Sequence, residues 1–254
     1  MSDLSAFSLD GKRVLVTGAN TGIGQGIAVS IAKAGGEVVA VGRSSMGETE
    51  ARIGALGGKI IAHRCDLGDH ATVKTLIRDV WEKIGPLDGL VNNAGIIRRA
   101  DSVDLTDADW DEVIDLNLKT SFLLCQAFGR QTMAEGRRGR IVNIASLLSF
   151  QGGIRVASYT ASKHGLLGIT RILANEWAGA GVNVNAIAPG YIESNNTEAL
   201  RADGGRSAAI LARIPANRWG KPDDIGGAVV FLLAEASSYV HGATIPVDGG
   251  WLAR

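Results

Sequence analysis

Three side chains in this 254-residue chain have types and spacing suited to moving a proton: Ser146, Tyr159 and Lys163. Tyr159 and Lys163 are four residues apart at the start of a helical pattern, so phenol and ammonium share one helical face. A free tyrosine, with a pKa of about 10, is mostly protonated at neutral pH, and a nearby cation favours the phenolate by about 1–3 units. A phenol lowered in this way can exchange a proton with an alcohol or ketone oxygen. Ser146 follows the apolar run Ile141-Val142-Asn143-Ile144 and can hydrogen-bond the same oxygen. Taken alone, Tyr-x-x-x-Lys reads as an ordinary surface helix; the serine upstream and the segments described next change that reading.

The elements that must position these residues alternate between strand and helix from the beginning. Arg13–Thr17 reads as a strand, the turn TGANTGIG (17–24) follows, and Ile23, Ile27 and Ile31 give a helical stripe. A glycine-rich turn between strand and helix suits close approach of a pyrophosphate, whose charge the helix N-terminus favours. The contributing residues are Gly18, Asn20, Thr21, Gly22, Ile23 and Gly24, spaced GxxxGxG. The next strand, Glu37–Val41, ends in Gly42-Arg43-Ser44-Ser45. An acid at such a strand end binds the ribose hydroxyls of NAD, whereas an arginine accommodates the 2′-phosphate of NADP. Arg43 and Ser44 therefore lean toward NADP, although a solvated turn with an ordinary arginine has the same sequence.

A short helix around Met46–Leu56 precedes a third strand, Lys59–Cys65, which delivers Asp66 and Leu67. Asp66 can receive an adenine amino group or cap the helix running from about Asp69 to Ile84. A fourth strand, Leu87–Val91, leads to NNAG, in which Asn93, Ala94 and Gly95 suit a tight turn under a ribose. In the long helix from about Asp107 to Met133, Trp110, Val113, Ile114 and Leu124 form an apolar stripe that includes Asn117. A buried amide costs roughly 1–3 kcal/mol unless hydrogen-bonded. Asn117 is thus either satisfied by neighbouring backbone or marks a helix irregularity that holds a water relaying protons to Lys163, and the downstream Ser146, Tyr159 and Lys163 favour the relay. The helix carrying Tyr159 runs to Trp177, and a sixth strand, Val182–Ile187, ends in Pro189-Gly190. Backbone beyond it, near Ile192, can meet a nicotinamide carboxamide. Residues 191–222 form a polar insertion with an apolar patch at Ile210, Leu211 and Ile214, long enough to be a lid. A helix, Asp223–Ala234, and a strand, Ala243–Val247, follow, and the tail GGWLAR is short enough to pack at a subunit interface.

Composition narrows the function class. A formal net charge of zero argues against nucleic acid or a charged membrane surface as partner. The two cysteines, Cys65 and Cys125, and four scattered histidines show no disulfide or metal spacing. No basic segment followed by an apolar core opens the chain, and no apolar run reaches the roughly 20 residues needed to span a bilayer. The expectation is a soluble cytoplasmic protein. With 46% hydrophobic residues the chain can bury the core of one large α/β domain or two small ones, and it shows no repeat or domain boundary.

TGANTGIG, NNAG, Asn117, Ser146, Tyr159-x-x-x-Lys163 and Pro189-Gly190, in this order, resemble the short-chain dehydrogenase/reductase family. The resemblance implies a single Rossmann-type α/β domain over residues 1–254, a doubly wound parallel seven-stranded sheet with helices on both faces, with NAD or NADP as cofactor and a homotetramer as the assembly. It also implies roles: Tyr159 as acid/base, Lys163 as ribose ligand, Ser146 as oxygen anchor and Asn117 in a proton relay. The segments SFQGGIRVASYTASK, ANEWA, NVNAIAPGYIESNNT, LRAD and RIPANRWG are similar to members that interconvert alcohol and ketone on a deoxy sugar acid. An anionic, polyhydroxylated substrate agrees with Arg98, Gln151, Arg155, Asn195, Asn196 and Trp219 as contacts, and Arg99 is placed to border the same pocket. Two other readings are a 3-oxoacyl-thioester reductase, docking a carrier protein on Arg137, Arg138 and Arg140, and a nucleotide-binding scaffold without turnover. A scaffold has no need of four filled catalytic positions.

Overall fold

The alternation Val14, Leu15, Val16 in the first strand sends successive side chains to opposite faces, and both faces are covered. In the computed structural model, which describes residues 4–253, seven parallel strands stand in the order β3-β2-β1-β4-β5-β6-β7. They are β1 (Arg13–Thr17), β2 (Glu37–Gly42), β3 (Ile60–Arg64), β4 (Gly89–Asn92), β5 (Gly139–Ile144), β6 (Val182–Pro189) and β7 (Thr244–Val247). One face packs α1 (Gly22–Lys33) and α9 (Pro222–Leu233), whose Ile27, Ile31, Ile225 and Val229 meet Val14, Val16 and Val38. The other face packs α3 (His70–Ile84) and α5 (Thr120–Ala134) through Leu76, Ile77, Leu124 and Phe128 against Leu15, Val39 and Leu90. Each such burial contributes up to about 1.5–3 kcal/mol, an upper figure because the unfolded chain is already partly compact.

β1 pairs with β2 on one side and β4 on the other, so the strand order reverses there. A crevice opens at the carboxyl ends of strands at such a point, and it is here that open α/β sheets bind ligands. Between β2 and β3 lies α2 (Gly47–Gly54), and α6 (Ala157–Trp177) follows β5. The predicted helix over 107–133 is α4 (Asp107–Ile114) and α5 joined by a π-helical turn, Asp115–Lys119. Trp110, expected on the buried stripe, is 40% exposed in the first turn of α4, and the stripe holds only from Val113 onward.

The insertion at 191–222 carries α7 (Glu198–Ala202) and α8 (Gly204–Arg213), and a bridge between Ile192 and Gly220 closes its base. Ile210 and Ile214 are buried with Leu147 and Trp251, and Arg213 lies 4.0 Å over the Trp251 ring. Within the tail, Trp251 packs on its own chain; Arg254 lies outside the described residues.

Candidate active site

The crevice holds a cleft of about 690 Å³ walled by the glycine-rich turn, the ends of β2, β3 and β4, and Ser146, Tyr159 and Lys163. Gly18 and Gly22 have φ of +63° and +55°, a left-handed backbone that suits glycine. A Cβ on Gly24 would overlap the carbonyl oxygen of Gly18 and Nδ2 of Asn93. Thr21 caps α1 with extended backbone and no side-chain bond, which leaves first-turn N–H groups facing the cleft. A cleft with backbone this bare, at a helix N-terminus, fits a dinucleotide pyrophosphate. Thr17 joins the two turns, a role its sequence did not signal. Its Oγ1 accepts from the N–H groups of Asn93 (2.9 Å) and Ala94 (3.0 Å) and donates to the Val91 carbonyl (3.3 Å). Asn93 returns a bond from Nδ2 to the Thr17 carbonyl at 2.9 Å.

At the far end of the cleft, Arg43 is exposed and 4.0 Å from Asp66, and both line the wall with Ser44 and Leu67. Asp66 does not cap α3: it accepts from the Gly68 N–H, while Asp69 accepts from Ala71 and occupies the cap. The Asp66 carboxylate is therefore left at the wall. Arg64 donates from Nε to the Arg43 carbonyl at 3.0 Å and so braces the turn.

The proton-moving cluster sits where β5 meets α6. Ser146 caps a 3₁₀ turn, accepting from Leu148 N–H at 3.1 Å, and its hydroxyl is hydrogen-bonded to Tyr159. Lys163 is buried, with Nζ 5.6 Å from the Tyr159 ring centroid. That ammonium donates to the Ile144 carbonyl at 2.7 Å, and burial brings its pKa down to about 8. The expected lowering of the Tyr159 pKa is not what the protein alone produces. Burial raises the phenol, against the Ser146 hydrogen bond and the positive charge of Arg99; Lys163 does not offset it, its ammonium being bound to Ile144.

Asn117 lies in the π turn, and its side chain finds partners in the backbone. Its Oδ1 accepts from Ile96 N–H and its Nδ2 donates to the Ile96 carbonyl, each at 2.9 Å. The amide is thereby satisfied by backbone and fixes the loop after NNAG. The helix irregularity is also there, and the Asn117 carbonyl accepts from Ser121 Oγ at 2.9 Å.

The substrate candidates divide. Pro189, Gly190, Ile192, Asn195 and Asn196 line the cleft with Gly95. Arg98 does too, but its guanidinium is held by Asp109 (3.4 Å) and Glu112 (2.7 Å). Arg155 faces away, paired with Asp101 at 3.2 Å from a left-handed backbone (φ 63°). Gln151 accepts from the Trp251 indole at 3.3 Å, and Trp219 stacks edge-on against Tyr191, so neither lines the cleft. Arg99 does not itself line the cleft, but it differs from both arginines: no carboxylate pairs with it among the described residues, and its charge acts on Tyr159. Its Nη2 donates at 2.9 Å to the carbonyl of Asn196, which does line the cleft. Spacing alone could not separate these arginines, because what distinguishes them is the acids α4 and the 100–104 loop bring to Arg98 and Arg155.

Known proteins resemble this chain over nearly its whole length. The profile of the adh_short_C2 family, described as enoyl-(acyl carrier protein) reductase, matches residues 18–252. The 2-dehydro-3-deoxy-D-gluconate 5-dehydrogenase of Escherichia coli K12 is 53% identical over 99% of both chains. An Agrobacterium tumefaciens crystal structure with bound NADP is 60% identical, covers 98% of this chain and 99% of its own, and superposes with a TM-score of 0.94. A gluconate 5-dehydrogenase from Burkholderia cenocepacia, in complex with NADP and tartrate, is 36% identical over all of both chains, also at 0.94. The chain belongs to the short-chain dehydrogenase/reductase family.

Proposed function

We propose that this enzyme interconverts a secondary alcohol and a ketone on a deoxy sugar acid of the 2-dehydro-3-deoxy-D-gluconate type, using NAD(P). The observation that carries the reading is the hydroxyl pair of Ser146 and Tyr159 beside the buried Lys163 ammonium, at the mouth of a dinucleotide-sized cleft. The relatives named above act on such acids or hold NADP. Bound at the glycine-rich turn, a nicotinamide supplies the hydride acceptor and, when oxidised, a positive charge.

In the oxidative direction Tyr159 would act as a phenolate, which the charges of Lys163 and an oxidised nicotinamide favour against the burial that raises its pKa. It would take the proton of the substrate hydroxyl, while the carbon bearing that hydroxyl would give its hydride to the nicotinamide. Ser146 holds that oxygen in place by a hydrogen bond. Lys163 binds the ribose and adds its charge once drawn from the Ile144 carbonyl, and the π turn at Asn117 passes the proton on to solvent. Arg99 receives the substrate carboxylate, in place of Arg98 and Arg155, which already hold acids. Arg43 and Ser44 take the 2′-phosphate of NADP, Asp66 and Leu67 the adenine, and Pro189 to Ile192 the carboxamide. Residues 191–222 act as a lid on a single catalytic domain, latched by Arg99 to Asn196 and by Asn195 to Thr21 at 3.5 Å. A cytoplasmic homotetramer belongs to the same reading; no helix among the described residues is long and apolar enough to cross a membrane.

The thioester-reductase reading loses its docking patch: Arg137 pairs with Asp88 and Arg140 is buried against Glu235, leaving Arg138 alone. Steady-state assays with deoxy-ketogluconates, gluconate and an acetoacyl thioester, each with both cofactors, test the proposal. Highest kcat/KM on a deoxy sugar acid is expected; preference for the thioester would overturn it.

A further inference from the structure

We propose that the amino-terminal edge of the sheet carries a second binding site, for a small oxyanion bearing two or more negative charges. A cavity of about 410 Å³ opens there beside the first residues of β5 and β6. It is separate from the catalytic cleft: β5 runs from Gly139 at the cavity to Ile144 under Lys163, about 17 Å at roughly 3.3 Å per residue. Ligand sites of open α/β sheets lie at the opposite edge, so this cavity is not an extension of the cofactor site.

Its walls carry Lys12, Arg138, Arg140 and His241 against two acids, Asp88 and Glu235. Both acids are already engaged. Asp88 accepts from the Arg13 N–H at 2.9 Å and pairs with Arg137 at 3.4 Å, and Glu235 pairs with Arg140 at 3.1 Å. Arg140 is 8% exposed, a guanidinium set into the wall and held by Glu235 and Ser237. Lys12 and Arg138, by contrast, make no ion pair or side-chain hydrogen bond among the described residues. With Asp88 and Glu235 neutralised by Arg137 and Arg140, the unpaired Lys12 and Arg138 leave the cavity an excess of positive charge that a multivalent anion completes. Arginine binds phosphate and carboxylate groups in the same forked geometry, so either class satisfies the walls. The volume admits a tricarboxylate or a phosphate ester, within the range of ordinary ligand sites.

The test is isothermal titration of the full-length protein with pyrophosphate and, separately, citrate. Saturating NADP is present so that the glycine-rich turn cannot take the probe. At least one probe should bind with a Kd below about 1 mM, and a Lys12→Ala/Arg138→Ala double variant should weaken it at least about tenfold. That variant should keep wild-type circular dichroism, kcat and KM for NADP, because neither residue touches the cleft. Binding of pyrophosphate alone identifies a phosphate ligand, and of citrate alone a carboxylate. No binding of either probe up to about 10 mM, or binding that survives the double substitution, would overturn the proposal.

Discussion

Lys163 is held in the folded protein at an electrostatic cost, and replacing it should make that cost measurable. Its pKa falls from 10.5 to about 8 on burial. At about 1.4 kcal/mol per unit, the charged form is disfavoured by roughly 3 kcal/mol. Below pH 8 the amine is protonated in both folded and unfolded chains, and the whole penalty is present. Between pH 8 and 10.5 the unfolded chain keeps the proton that the folded chain has lost, so stability rises with pH through this window. Lys163→Met removes the titration. Urea unfolding of wild type and variant, at fixed protein concentration and without cofactor, isolates the effect. The wild-type-minus-variant difference should climb by roughly 3 kcal/mol from pH 8 to 10.5. At neutral pH the gain in the variant is partly offset by about 1–3 kcal/mol for the Ile144 carbonyl left without its partner. Catalysis should be lost throughout. A difference that is flat or falls across the window would show that the ammonium is not penalised where it stands, and the account of Lys163 would fail.

Arg43→Ala should raise KM for NADP about ten- to a hundredfold and leave NAD almost unchanged, the worth of a charge-assisted hydrogen bond; steady-state kinetics with both cofactors check it, and equal changes would mean that Arg43 does not read the phosphate. Arg99→Ala should raise KM for the sugar acid by a similar factor, whereas Arg98→Ala and Arg155→Ala should change it little; a polyol lacking the carboxylate serves as the insensitive control. Gly24→Ala should abolish cofactor binding, since its methyl meets Gly18 and Asn93; unchanged NADP affinity in a fluorescence titration would contradict the assigned cradle.

Much of the sheet was legible because buried parallel strands such as Val14-Leu15-Val16 and Ile141-Val142 are continuous apolar runs, and glycine turns punctuate them. Strand order and the reversal beside β1 were not, because pairing between distant segments leaves no local pattern. At the site, the spacing of Tyr159 and Lys163 gave their adjacency but not their electrostatics. Which way the phenol shifts depends on the burial around it and on the Ile144 carbonyl that holds Lys163. The arginines teach the same lesson. Arg98, Arg99 and Arg155 look alike in sequence, and only the acids brought to Arg98 and Arg155 by folding leave Arg99 for a ligand. Thr17, which ties together both turns of the cofactor cleft, gave no signal beyond ending a strand.

The central claim is that Tyr159 exchanges the proton with the reacting oxygen. Tyr159→Phe keeps the ring and removes only the hydroxyl, so single-turnover reduction of NAD(P) by a deoxy sugar acid measures that group directly. The rate should fall by about 10²–10⁴ with NAD(P) affinity within a few-fold of wild type, and a variant that still reduces NAD(P) at a wild-type rate would contradict the account.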